Sequence, residues 1–218
     1  MKKVLWAFAV VLLGCTDSPP TIDVSPPTID VPPPTFDGQS YKTVKIGEQE
    51  WLDKNLNTTV YANGDPISAI LSDSEWSTTE SGALAVYEGE ILYNWYAVND
   101  VRCLCPKGWH VPTDKEWATL TDFLGGDEVA GEKMKSIYGW GDERNGTNSS
   151  GFEGLPGGNR EDNGNFSMAG FYGNWWSSSP SGSNAWVRSL RGQSPGVDRT
   201  NFFNLRWGFS VRCLKDTE

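Results

Sequence analysis

The chain has one histidine in 218 residues and four cysteines, and its one long apolar run covers only Val4–Leu13. A single histidine excludes a His-rich metal centre. The apolar run is about half of the ~20 residues that a spanning helix needs, so it is not a membrane anchor by itself. Basic residues are also scarce, 18 against 28 acidic ones for a net charge of −10. A nucleic-acid binder would carry the opposite balance. What the chain has instead is aromatic mass: 11 Trp, 7 Tyr and 9 Phe. With 38% hydrophobic and 21% charged residues it reads as globular rather than disordered. Its length suits one core of ordinary size and not two large domains.

The N-terminus reads as an address. Met1-Lys2-Lys3 is a short basic segment, the run to Leu13 follows, and Leu12-Leu13-Gly14-Cys15 resembles the bacterial lipobox, in which a peptidase cuts before the cysteine and the thiol carries lipid. Residues 1–14 are therefore expected to be a lipoprotein signal peptide and Cys15 the lipid attachment. Lipid then supplies the membrane affinity that the acidic chain lacks. Thr16, rather than Asp, after the cysteine favours the outer membrane. Residues 15–37 carry a seven-residue repeat, Pro-Pro-Thr-Ile/Phe-Asp, starting at Pro19, Pro26 and Pro33, and hold more than half of the chain's 13 prolines. Proline fixes φ and removes a donor. This stretch is expected to be an extended tether of roughly 60 Å at full reach. A polyproline recognition motif is the rival reading.

Residues 38–218 form the domain. Tyr41–Ile46 alternates with period two, Gly47-Glu48 marks a turn and Gln49–Leu52 resumes, which predicts a hairpin. Residues 56–90 read as loop-rich, and Ile91–Val98 as the next apolar segment. Thr113-Asp-Lys-Glu116 is a capping box that opens a helix with Trp117, Leu120, Phe123 and Leu124 on one face. Gly125-Gly126 ends it. Asp127 is expected to cap a second helix to about Lys135 that buries Val129 and Met134, with Gly131 as a weak point. Residues 139–173 are dense in Gly, Asn and Ser and predict a long irregular region. Trp175–Ser178, Ala185–Leu190, Val197–Phe203 and Gly208–Leu214 predict a closing antiparallel meander. Strands, then two short helices, then strands again give the α+β class.

Cys15 assigned to lipid leaves Cys103, Cys105 and Cys213. A Cys103–Cys105 ring is strained, so Cys213 pairs with Cys105 or with Cys103. A metal site built from these thiols and His110 is a weaker reading, because the spacing is a poor zinc signal.

The segments Tyr41–Leu56, Leu92–Ala97, Cys105-Pro-Lys-Gly-Trp-His110 through Trp117, Gly146–Phe152, Leu155-Pro-Gly-Gly-Asn-Arg160, Trp175-Trp-Ser-Ser178 and Gly208–Cys213 occur in this order. Together they resemble the Fibrobacter succinogenes major paralogous domain, found in secreted and lipid-anchored bacterial proteins. That resemblance implies a branch of the C-type-lectin-like fold, which also includes the formylglycine-generating enzymes, and it implies a Cys105–Cys213 disulfide. It brings no catalytic residues. The Glu-Pro-Asn and Trp-Asn-Asp motifs of calcium-dependent lectins are absent at the matching places, and only one or two thiols are available, which departs from both the lectin and the formylglycine-generating patterns.

His110 reads as a hydrogen-bonded structural residue, since no Ser or Cys nucleophile is evident beside it. The adjacent acids Asp142-Glu143 and Glu161-Asp162 read as solvated faces rather than glycosidase pairs. Charge is uneven, however. Residues 164–215 hold Arg188, Arg191, Arg199, Arg206, Arg212 and Lys215 against Asp198 alone. The preferred reading pairs these arginines with acids from helices and loops; the alternative is a site for an acidic sugar, with Arg forks and aromatic platforms. In a strand, Trp175 and Trp176 point to opposite faces, so one is expected in the core and the other exposed.

The residues singled out for ligand contact are Trp175, Trp176, Trp186, Arg188, Arg191 and Trp207. No metal and no cofactor is expected. The resulting expectation is a lipid-anchored, non-catalytic binding or adhesion domain on the outer membrane. Its partners would be the membrane through Cys15, a polysaccharide or another surface protein, and no nucleic acid. The alternatives are an enzyme, either a formylglycine-generating-type oxidase or a carbohydrate hydrolase, and a structural envelope component.

Overall fold

The computed structural model describes residues 35–217 except 37 and 70. The segments expected to be signal peptide and tether, Cys15 included, lie almost wholly outside the described residues. Within the last residues of the expected tether, strand β1 (Thr35–Phe36) pairs with β2 (Gln39–Ser40). The predicted hairpin follows as β3 (Thr43–Ile46) and β4 (Gln49–Leu52), turning at Gly47.

Residues 56–90 hold more structure than their sequence suggests. Helix α1 (Asp73–Thr78) starts at a capping box made by Ser72 and Glu75 and buries Trp76. Strands β5 (Leu84–Tyr87) and β6 (Glu90–Tyr93) form a second hairpin. Its two-residue turn puts Glu88 at φ 47° and Gly89 at φ 86°, the paired positive values that match strand twist. The apolar run from Ile91 changes element at Asn94, whose side chain accepts from the Ala97 amide and caps the short helix α2 (Trp95–Val98).

Strand β7 (Trp109–His110) precedes α3 (Asp114–Phe123), which opens at the predicted Thr113–Glu116 box. Trp117 and Leu120 are buried as expected, but Phe123 is 63% exposed. Its ring lies over Gly47 instead of entering the core. Helix α4 is also shorter than expected, Ala130–Met134, with no side-chain cap and with Val129 45% exposed. The reason is tertiary. The Asp127 carbonyl accepts from Val197, and a Cβ at Gly131 would meet the Gly196 carbonyl oxygen at 2.1 Å. Gly131 is thus a close-approach residue as well as a weak helix former. The described residues contain four α-helices rather than two, and a 3₁₀ turn at Gly141–Glu143.

The Gly/Asn-rich region is mostly irregular, broken only by that turn and by β8 (Asn159–Arg160) paired with β9 (Phe166–Ser167). Then come β10 (Tyr172–Ser181), β11 (Asn184–Arg191) and β12 (Val197–Thr200) in one antiparallel sheet. The fourth predicted strand does not extend the antiparallel meander. Ser210 makes one parallel bridge to Trp175 of β10, Phe209 bridges to Tyr93, and only β13 (Leu214–Lys215) is a strand. It lies between β4 and β7 in the order β3-β4-β13-β7.

The cause is visible in the residues just before β13. Arg212 is fully buried and donates to the Leu52 and Phe152 carbonyls and to Asn55 Oδ1. Cys213 is bonded to Cys105 across 108 positions. In the chain-entropy account such a cross-link stabilises by about 4.7 kcal/mol. These anchors draw the C-terminal segment to the other sheet. Burial pushes the Arg212 guanidinium down to about 10, with Glu90, Asp53 and Glu153 pulling the other way. The molecule is α+β.

Two apolar cores flank the β10–β12 sheet. Trp176 and Val187 belong to one with Leu52, Tyr93, Trp95, Phe209 and the disulfide. Trp175 and Leu190 belong to the other with Trp51, Trp117, Met134 and Phe152. The adjacent tryptophans do point to opposite faces, but both are 0% exposed because both faces are covered. Replacing either by Ala removes a large buried ring, at about 3–5 kcal/mol.

Candidate binding groove

The core holding Trp176 covers only part of its sheet face. Toward the other end the same parity places Tyr172 and Asn174 on β10, Ser189 and Arg191 on β11, and Asp198 and Thr200 on β12. These side chains form the floor of a cavity of about 390 Å³. Asn174 and Ser189 are buried, and the Ser189 hydroxyl donates to Asn174 Oδ1 at 2.6 Å. The cavity therefore offers fixed polar groups rather than mobile ones.

One wall comes from β8 and β9. Asn159 donates to Ser167 Oγ at 2.9 Å, and Ser167 in turn donates to Glu161 Oε1 at 2.9 Å. Gly158 makes this wall possible: at φ 68° it lies so close to β9 that a Cβ would meet the Ser167 carbonyl oxygen at 2.5 Å.

The facing wall is aromatic. Phe202, 68% exposed, packs on Phe203 at 4.3 Å between centroids, and Phe203 packs on Trp207 at 4.9 Å. Phe203 and Trp207 rest on Phe209, which packs on buried Trp176. The wall is thus rooted in the core. Asn204 donates to Asp162 at 2.5 Å, and Arg206 donates to the Thr79 carbonyl and to Glu80, which pins the loop between. At the floor, Arg191 grips Asp198 at two points, Nε to Oδ2 at 2.6 Å and a terminal nitrogen to Oδ1 at 2.9 Å.

Burial and strand parity together divide the six residues singled out from sequence. Arg191 and Trp207 line the groove. Trp186 lies on the opposite face of the sheet, beneath the Arg199 guanidinium at 3.6 Å from its ring. Arg188, on that face too, is buried and donates to Asp114 Oδ1 at 2.7 Å. Trp175, Trp176 and Arg188 have no side chain to offer a ligand, which corrects their selection as contact residues.

Pairing of arginines with acids from helices and loops accounts for most of the basic segment. Asp114, at the start of α3, holds both Arg188 and Arg199. Burial opposes ionisation of Asp114, but hydrogen bonds from Arg199 and Arg188 outweigh it and lower the carboxyl from its usual 3.8. His110 is likewise structural: Nδ1 is 2.7 Å from Asp216 and Nε2 is 3.1 Å from Glu116, so it ties the C-terminal end to the helix start.

Sequence reasoning missed Tyr172, Asn174 and Ser189. All three share one parity with Arg191 in the paired strands, a signal that register alone makes readable. Among the described residues no three His, Cys, Asp or Glu side chains gather as a metal-ligand set, and Cys103 is the one free thiol.

The sequence model of the Fibrobacter succinogenes major domain matches residues 44–215. The chain belongs to that family. The matched residues take in all of the hairpin β3–β4 but Thr43, both cores apart from Tyr41, the disulfide and the whole groove. No curated protein and no solved structure matches the chain.

Proposed function

We propose that this major domain is a non-catalytic glycan-binding module, displayed on the outer membrane by lipid at Cys15 and a proline-rich tether, with a C-type-lectin-like fold. The observation that carries the binding reading is the groove itself: an apolar aromatic wall facing a floor of buried amide and hydroxyl groups. Sugars present the same division, with apolar ring faces and hydroxyl edges. Pockets of this build, mostly apolar with a few convergent polar groups, are where small ligands bind. The fold reading draws support from the α+β order, the long Gly/Asn-rich region and a disulfide joining the segment before α3 to the last strand.

Glu161 and Asp198 share the groove, which is the feature that favours a hydrolase. Their partners weigh against it: Asp198 is held in the two-point Arg191 pair, and Glu161 accepts from Ser167 and Asn163. An oxidase working through paired thiols has one free cysteine to draw on among the described residues.

Retention of the full chain on insoluble and arrayed glycans tests the proposal. Some neutral or acidic polysaccharide should retain it, and Trp207→Ala should weaken retention about tenfold, roughly 1.4 kcal/mol. No retention across a broad panel would sink the reading. Anchoring is tested separately: Cys15→Ser should move the chain from the membrane to the soluble fraction.

A further inference from the structure

The groove does not stop at its floor. Met168, Tyr172 and Arg191 also line a second cavity of about 440 Å³, completed by Arg144, Phe171 and the backbone turn at Gly192–Ser194. Two cavities that share three residues present one continuous surface to an extended ligand. The chemistry changes along it. Glu161 and Asp198 line the first cavity, whereas the second is lined by two guanidinium groups and no carboxylate.

Arg144 stands apart from the other arginines. Among the described residues, every other arginine side chain hydrogen-bonds to a carboxylate or a carbonyl. The Arg144 guanidinium makes no hydrogen bond and has one ion pair, at 3.9 Å, with the exposed Asp142. Arg191 spends Nε and one terminal nitrogen on Asp198, so its other terminal nitrogen remains available.

The backbone that presents Arg144 is strained. Asp142 and Glu143, just before it, both have φ of 56°. L residues adopt this conformation at a cost, and it persists only where surrounding contacts enforce it, characteristically at ligand sites. Here the enforcing contacts are Gly141 N–H to the Gly170 carbonyl at 2.7 Å and Trp140 N–H to Asn145 Oδ1 at 3.1 Å. They hold Arg144 against Gly192, where a Cβ would meet the Arg144 side chain at 3.5 Å. The exposed ring of Phe171 lies beside it, with its edge 3.1 Å from the Cβ position of Gly141.

We propose that this second cavity is the anionic subsite of the groove: Arg144 and Arg191 take the carboxylate of a uronic-acid unit while a neighbouring sugar of the same chain lies on Phe203 and Trp207. The inference rests on the glycan-binding reading and narrows it to acidic polysaccharides. Planar guanidinium groups match a carboxylate's two oxygens, and Arg144, whose guanidinium has only one long ion pair with an exposed acid, gives up little to bind one.

The test uses the full chain with polygalacturonate, its methyl ester, a neutral glucan and a sulfated glycan. Wild type should bind polygalacturonate at least tenfold more tightly than the methyl ester. Arg144→Gln should abolish that difference, with most of the loss falling on the acid form. Independently of any variant, raising salt from 50 to 200 mM should weaken binding to the acid form and spare the ester. Unchanged acid preference in Arg144→Gln, or salt-insensitive binding, overturns the subsite. Equal or tighter binding of the sulfated chain overturns the carboxylate assignment. If only the subsite is wrong, Trp207→Ala still reduces binding to the ester and the neutral glucan. If no glycan binds, the groove reading fails as well.

Discussion

Asn55 shows how one side chain links the buried charges to the cores. Its Oδ1 accepts from the Trp175 indole and from Arg212, each at 2.8 Å, and its Nδ2 donates to Glu90 at 2.7 Å. Asn55→Leu would leave two buried donors without a partner, at about 1–3 kcal/mol for each orphaned group. The expected result is a lower melting temperature with unchanged glycan retention. Trp207→Ala should do the reverse, because its ring forms part of the groove wall and is only partly buried. Measuring melting and retention on both variants separates a residue that supports the fold from one that meets the ligand. Trp176→Ala, which sequence alone nominated as a binding variant, belongs with Asn55→Leu. Its indole donates to the Tyr93 carbonyl at 2.8 Å inside the core.

The β10–β12 sheet turns period-two alternation into a division of labour. One parity of β11 carries Trp186, Arg188 and Leu190 toward α3 and the second core. The other carries Val187, Ser189 and Arg191 toward the first core and the groove. The junction between α3 and this sheet depends on Asp114, whose carboxylate accepts from Arg188 and Arg199. Its pKa is lowered on folding, so its stabilisation is complete above the unfolded value of 3.8 and is lost as pH falls through the lower folded value. Acid unfolding of wild type should therefore steepen below about pH 3.8, and Asp114→Asn should be less stable at neutral pH with a flatter acid limb. Equal pH dependence in the two proteins would show that this contact does not set the acid limit.

The Cys105–Cys213 cross-link spans the middle of the domain and ties the segment before α3 to the last strand. The double substitution Cys105→Ala/Cys213→Ala should cost about 2–5 kcal/mol, the usual range for loss of a native disulfide. Denaturant unfolding with and without reductant measures it. A loss well below 2 kcal/mol would mean that Arg212 and the two cores carry the C-terminal segment by themselves. Groove and disulfide lie on different parts of the first core, so the reduced protein, where it stays folded, should keep its glycan preference.

Local chemistry in the sequence was sufficient for several features. The Gly47 hairpin and the Thr113–Glu116 capping box need only neighbours within a few residues, so both were legible. The Ser72–Glu75 box is equally local, but the residues around it lack the strong apolar period that marks a helix. The family, too, was readable from the ordered motifs. The groove was not. Parity assigns Trp175 and Trp176 to opposite faces, but only the packing of two cores covers both faces, and only cross-strand register puts Asn174, Ser189 and Arg191 side by side. The C-terminal segment reads as one more strand of the meander until Arg212 and Cys213 find partners 60 to 160 residues away. Arg144 gave no sequence signal, since its significance lies in a backbone conformation and an absence of hydrogen-bond partners that exist only in the folded chain. Periodicity and caps are short-range and survive in a linear reading; burial, register and unsatisfied charge are long-range, and tertiary structure alone decided them.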